Sequence, residues 1–200
     1  MIKFSRLVPL LGVVFFLAGC APQNSLFPLF TNDDKAFEKR LLGEWKINAG
    51  DDGHQDPGVN LALVVFSPRE NETSYDVRIP KFNDTGGTMR STARLVRLGT
   101  YLFIDLGSPN MDIFRDIPYP ASEAHCFGRL ILSGDTVRID FLNDDWVTKQ
   151  VEAGKLGLSY VKSLDGALLS ADTPELRKFA LEHAEDHEAF SNSYVLTRNK

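Results

Sequence analysis

Cysteine is scarce in this 200-residue chain, with only Cys20 and Cys126, which leaves room for one disulfide at most. Positive charge is also short, 22 Lys and Arg against 27 Asp and Glu. That balance argues against nucleic acid as a partner and against polybasic attachment to anionic lipid. The uncharged, almost wholly apolar run Leu7–Ala18 is twelve residues long. At helical rise it covers about 18 Å, short of the roughly 30 Å bilayer core. Pro9 and Gly12 weaken it further as a spanning helix. Catalytic signatures are missing too. There is no G-x-S-x-G elbow, and Ser159–Lys162 matches S-x-x-K with neither S-D-N nor K-T-G elsewhere. No repeat of solenoid or propeller period occurs.

What the chain does have begins at its N-terminus. Lys3 and Arg6 precede the apolar run, and small residues lead into Leu17-Ala18-Gly19-Cys20, the layout of a secretory signal. Those last four residues resemble the lipobox of bacterial lipoproteins; cleavage at an ordinary site after the small residues is the other reading. The resemblance implies that Cys20 becomes the first mature residue and carries a diacylglyceryl group and an added N-acyl chain. Two or more chains anchor stably where one does not. The partner implied is a membrane, and Ala21, where an aspartate would retain the protein, implies the outer membrane facing the periplasm in enterobacteria-like cells. Residues 1–19 would then be the signal peptide, 20–32 the lipidated cysteine and tether, and 33–200 one domain. Loss of residues 1–19 removes two cations and leaves 20 Lys and Arg against 27 Asp and Glu, a formal charge of −7. Fourteen phenylalanines and two tryptophans predict a folded core. With Cys20 acylated, Cys126 has no intrachain partner and reads as a small buried hydrophobe, or else as an intermolecular disulfide or a reactive thiol.

After a polar start at Ala21–Ser25, Leu26-Phe27-Pro28-Leu29-Phe30 is too apolar for a free linker. It packs on the domain or lies at the membrane interface. A short helix is predicted from Asp33 or Asp34, with Phe37 and Leu41 four apart. Strand-like runs follow at Glu44–Asn48, Asn60–Phe66 (apolar on both faces, hence covered from both sides), Thr73–Ile79, Met89–Leu98, Tyr101–Leu106, Cys126–Leu132 and Thr136–Leu142. Helical spacing takes over behind Asp144 and Asp145, one or two strands fit within Leu156–Leu169, and Asp172-Thr173-Pro174-Glu175 opens a second helix extending to Ala184. Tyr194–Thr197 reads as a last strand.

Eight or nine short strands in meander order predict a mainly β fold with two to three short helices, either an antiparallel barrel or a strongly curved sheet. Leu42-Gly43-Glu44-Trp45 carries the G-x-W that opens the first strand of lipocalins, and the chain resembles that family in element order. The resemblance implies a barrel closed at its base by Trp45, with Arg198 as the basic residue packed over it. The T-D-Y motif is missing, and the helix after Asp144 interrupts the strand series. Phe103-Ile104-Asp105-Leu106 and Leu168–Leu176 also resemble uncharacterised bacterial lipoproteins, a likeness that brings no activity with it. The expected function is that of a membrane-anchored envelope lipoprotein whose domain binds or carries a small apolar ligand. The alternative is a structural or interaction protein, such as an assembly or maturation factor with an envelope protein as partner and no ligand cavity.

Candidate site residues are few. Loop 107–120 is apolar for a loop, and its Met111, Ile113, Phe114 and Tyr119 are candidates for a lid, a ligand contact, a membrane-facing patch or a partner site. His183 and His187 stand four apart on the predicted helix but fit neither H-E-x-x-H nor H-x-x-E-H. His125 and Cys126 are neighbours in a strand, so their side chains point to opposite faces and cannot form a dyad. The acidic loop Asp51–Gly58 lacks calcium-loop spacing, and the pairs Asp33/Asp34 and Asp144/Asp145 suit helix starts. No catalytic residue, metal ligand or cofactor is predicted.

Overall fold

The computed structural model describes residues 22–48, 63–69, 73–80, 88–107, 110–111, 124–163 and 166–200. Eight antiparallel strands form its frame: β2 (Gly43–Asn48), β3 (Leu63–Pro68), β4 (Tyr75–Ile79), β5 (Met89–Leu98), β6 (Tyr101–Gly107), β8 (His125–Ser133), β9 (Thr136–Phe141) and β12 (Asn192–Arg198). Each pairs with the next, and β12 returns to β2, so the sheet closes into an up-and-down barrel. Closure leaves this sheet without a long free edge. The hairpins β5–β6 and β8–β9 turn on two residues each, and Gly99 and Gly134 supply the positive φ such turns demand.

Strand alternation splits the apolar residues into two cores. Inside the barrel lie Trp45, Phe66, Tyr75, Leu95, Ile104, Val137 and Leu196. Outside, Val96, Leu98, Phe103 and Phe127 form a second apolar face on β5, β6 and β8. Two helices cover it, α1 (Asp144–Glu152) and α2 (Thr173–Glu182), through Val147, Leu176, Phe179 and Ala180. Asn143 caps α1 by accepting from the Trp146 N–H, and Asp172 caps α2 by accepting from the Glu175 N–H. A small annex joins the same side: β10 (Tyr160–Ser163), β11 (Gly166–Leu169) and β1 (Asn24–Ser25), the last lying parallel to β11 and antiparallel to the start of β8. β7 (Asn110–Met111) pairs with β5.

Three expectations change. The helix predicted from Asp33 or Asp34 is a single 3-10 turn at Lys39–Leu41. The Asp34 carboxylate is taken by the Thr31 N–H and by Arg177, while Ala36 bridges to Leu95 and Phe37 stacks on Tyr75, so the segment is held extended. α2 stops at Glu182 with His183 as its C-cap, so His183 and His187 do not share a helical face. β3 is covered on one face only: Val64 and Phe66 are buried, Leu63 and Val65 half-buried.

Candidate functional site

One end of the barrel, the base, is built around Trp45. The ring is buried and its Nε1–H donates to the Leu41 carbonyl at 2.8 Å. The Arg198 guanidinium lies 4.2 Å from the ring centroid and donates to the carbonyls of Leu42 and Arg40. Gly43 explains the glycine of the G-x-W string. Its φ is +114°, and a Cβ there would stand 3.1 Å from the Arg198 guanidinium. Small size at 43 thus lets the last strand's arginine reach over the first strand's tryptophan.

From this base the inward side chains change in burial. Leu41, Trp45, Tyr75, Leu95, Ile104 and Val137 are buried. Toward the opposite end, Ile47, Ile79, Leu106, Cys126 and Tyr194 point inward on five different strands but are only half-buried. The result is a cup packed around Trp45 with an apolar, partly open upper ring, while Leu102 and Leu132, at the base between β6 and β8, are half-buried as well. Of the predicted contacts near that ring, Met111 is placed by its backbone, opposite Met89. Ile113, Phe114, Tyr119 and the loop Asp51–Gly58 lie outside the described residues, as does Cys20.

Cys126 faces the cup while His125 faces outward, to the other side of the wall. Burial, with the nearby Asp105 charge adding to it, pushes the Cys126 thiol up to about 12. Iodoacetamide is therefore expected to alkylate folded Cys126 at least about a hundredfold more slowly than an ordinary thiol at neutral pH, and urea should restore the rate. Peptide mass mapping reads this directly, and fast labelling of the folded chain would sink it.

Sequence reasoning missed the outer site beside it. Asp105 is buried with its carboxylate between the Leu29 N–H at 2.6 Å and His125 Nδ1 at 2.8 Å. Phe30 stands edge-on to His125 and under the Arg94 guanidinium. Thr173 donates to the Pro28 carbonyl, and Arg177 reaches the Leu29 carbonyl and Asp34. Residues 22–34 are thus strapped across the outer wall: Leu29 is buried, whereas Leu26 and Phe27 stay 39% and 45% exposed. Alternation puts Asp105 and His125 on the outer face together, and the apolar string Leu26–Phe30 signals packing on the domain, but nothing local in the sequence says that it packs over these two residues.

The remaining candidates are structural. His183 packs on Phe179 and Trp146, with Nδ1 3.5 Å from Asp186. No group of three or more His, Cys, Asp or Glu among the described residues is arranged to hold a metal. Ser159–Lys162 runs into strand β10, and Asp144 and Asp145 open α1. Comparison with protein-family models, with curated proteins and with solved structures finds no match for this chain.

Proposed function

We propose that this protein is a lipid-anchored component of the bacterial cell envelope, acylated at Cys20, whose lipocalin-like barrel binds or carries a small apolar ligand. The observation carrying this reading is the graded interior, buried around Trp45 and opening to the half-buried ring of Ile47, Ile79, Leu106, Cys126 and Tyr194. Apolar side chains left half-covered inside a barrel are what a ligand of that chemistry would finish burying. The likeness to lipocalins is supported by the eight-strand meander, closed where the first and last strands bring Trp45 and Arg198 together.

Leu26, Phe27 and Val161, all exposed, favour a second reading as an interaction protein docked on an envelope partner. Native mass spectrometry of the chain extracted from its own host membrane separates the two. Ligand carriage predicts a retained small apolar molecule that Leu106→Trp, filling the ring, displaces. A co-purifying protein with no such molecule supports the docking reading. Palmitate labelling that survives Cys20→Ser would remove the anchor from both.

A further inference from the structure

The barrel wall is not evenly paired. β6 and β8 run together from Gly107 opposite His125 to Phe103 opposite Arg129, and there their ladder stops. β6 continues through Leu102 and Tyr101 paired with β5, and β8 continues through Leu130–Ser133 paired with β9. Two hairpin tips therefore splay at the base. Between them lies an open groove of about 320 Å³, bordered also by Glu38, just before the 3-10 turn, and by Arg40 within it.

The groove is two-natured. Leu102, Leu130 and Leu132 face inward along its floor, and Ile131 on its outer lip is 41% exposed. Arg40, Arg97 and Arg129 border it against a single carboxylate, Glu38. This is a local inversion of sign in a chain whose acids outnumber its bases. Glu38 stands 3.2 Å from Arg40 and 3.7 Å from Arg97 and cannot neutralise both. Arg129 is committed to Asp140 and the Ala184 carbonyl, yet its buried Nε has no hydrogen-bond partner among the described residues.

We propose that this splayed seam binds a medium-chain amphiphile with an anionic head, the carboxylate held by Arg97 and Arg40 and the tail laid over Leu102 and Leu132. Guanidinium forks match a carboxylate bidentately, and two of the three are exposed enough to turn toward it. The groove sits at the low end of ligand-pocket volumes, near about 300 Å³, which suits one short chain and not a diacyl lipid. The site lies at the base, away from the half-buried ring, and does not depend on that ring holding a ligand.

The test is photo-crosslinking of the full chain in nonionic detergent with decanoate bearing a terminal diazirine, beside the matching neutral alcohol. Adducts are expected on Leu102, Ile131 and Leu132, with the alcohol labelling these positions weakly. Arg40→Gln with Arg97→Gln should cut labelling about tenfold or more. Ile131→Asp, at a 41% exposed position, should do the same by placing a like charge on the lip. Adducts confined to Ile47, Ile79 and Leu106 would overturn the seam site while favouring ligand carriage in the cup. Equal labelling by the alcohol, labelling unchanged in these variants, or no adduct at all would overturn it outright.

Discussion

Asp140→Ala is expected to lower the unfolding free energy by about 3–5 kcal/mol, measured by urea titration, because it removes one partner of a buried ion pair. Asp140 is 0% exposed on β9 and accepts from Arg129 at 3.0 Å, Arg138 at 2.6 Å and the Ser193 hydroxyl. Its loss leaves Arg129, 13% exposed, with the Ala184 carbonyl as its remaining partner. Against a total of about 5–15 kcal/mol for an ordinary domain, that change brings the protein close to unfolding. Arg138→Gln removes a half-exposed partner and should cost about 0–1 kcal/mol. Acid sensitivity carries the same signature. Burial alone would raise the Asp140 pKa, but hydrogen bonds from Ser193, Arg138 and Arg129 and the Arg138 charge outweigh it and hold the carboxyl below its ordinary value. The folded chain therefore takes up this proton less readily than the unfolded chain. The contribution is complete above the unfolded carboxylate range and fades as pH falls through it toward the lower folded value. In Asp140→Ala the acid loss should be shallower, and an unchanged acid limb would assign it elsewhere, Asp34 and Asp186 also being carboxyls held low.

The features legible in the sequence are those carried by short-range chemistry. Gly99 and Gly134 mark two-residue turns because only a positive φ closes them, and the strands on either side fall where period-two alternation puts them. Asp172 with Pro174 and Glu175 announces α2 because a cap, an early proline and an acidic first turn act within four residues. Long-range demands leave no such mark. β1 is two residues long and exists because β8 and β11 flank it. The stretch after Asp33 carries helical spacing, yet Arg177, Tyr75 and Leu95, all distant in sequence, hold it extended. Asp105 and Asp140 stand on the outward face of their strands, where alternation predicts solvent. The strap and the Arg129 guanidinium bury them instead. The splayed seam is invisible for the same reason, since it depends on where two hairpins stop pairing and not on which residues they contain.

Trp45→Ala should cost about 3–5 kcal/mol, the range for deleting a large buried aromatic, and it tests how the base is closed. Area alone does not make Trp45 distinctive, because Phe103 and Phe127 are as deeply buried in the outer core. What sets it apart is that one segment is held twice. Trp45 donates to the Leu41 carbonyl, and Arg198, stacked on the ring, donates to the carbonyls on either side of it, those of Arg40 and Leu42. The two side chains therefore brace the same three residues of the floor from the first and last strands of the barrel. Such sharing predicts non-additivity. A cycle of Trp45→Ala, Arg198→Met and the double variant should show a coupling of about 0.5–3 kcal/mol, of which the cation–π contact supplies about 0.5–2. Gly43→Ala belongs beside it: the strain at φ +114° and the crowding of Arg198 should weaken the coupling and leave Trp45 in place. Additive losses would mean that ring and guanidinium stabilise the barrel separately. The floor would then be closed by Leu41, Tyr75 and the 3-10 turn alone, and the G-x-W string would stand here as ordinary strand chemistry.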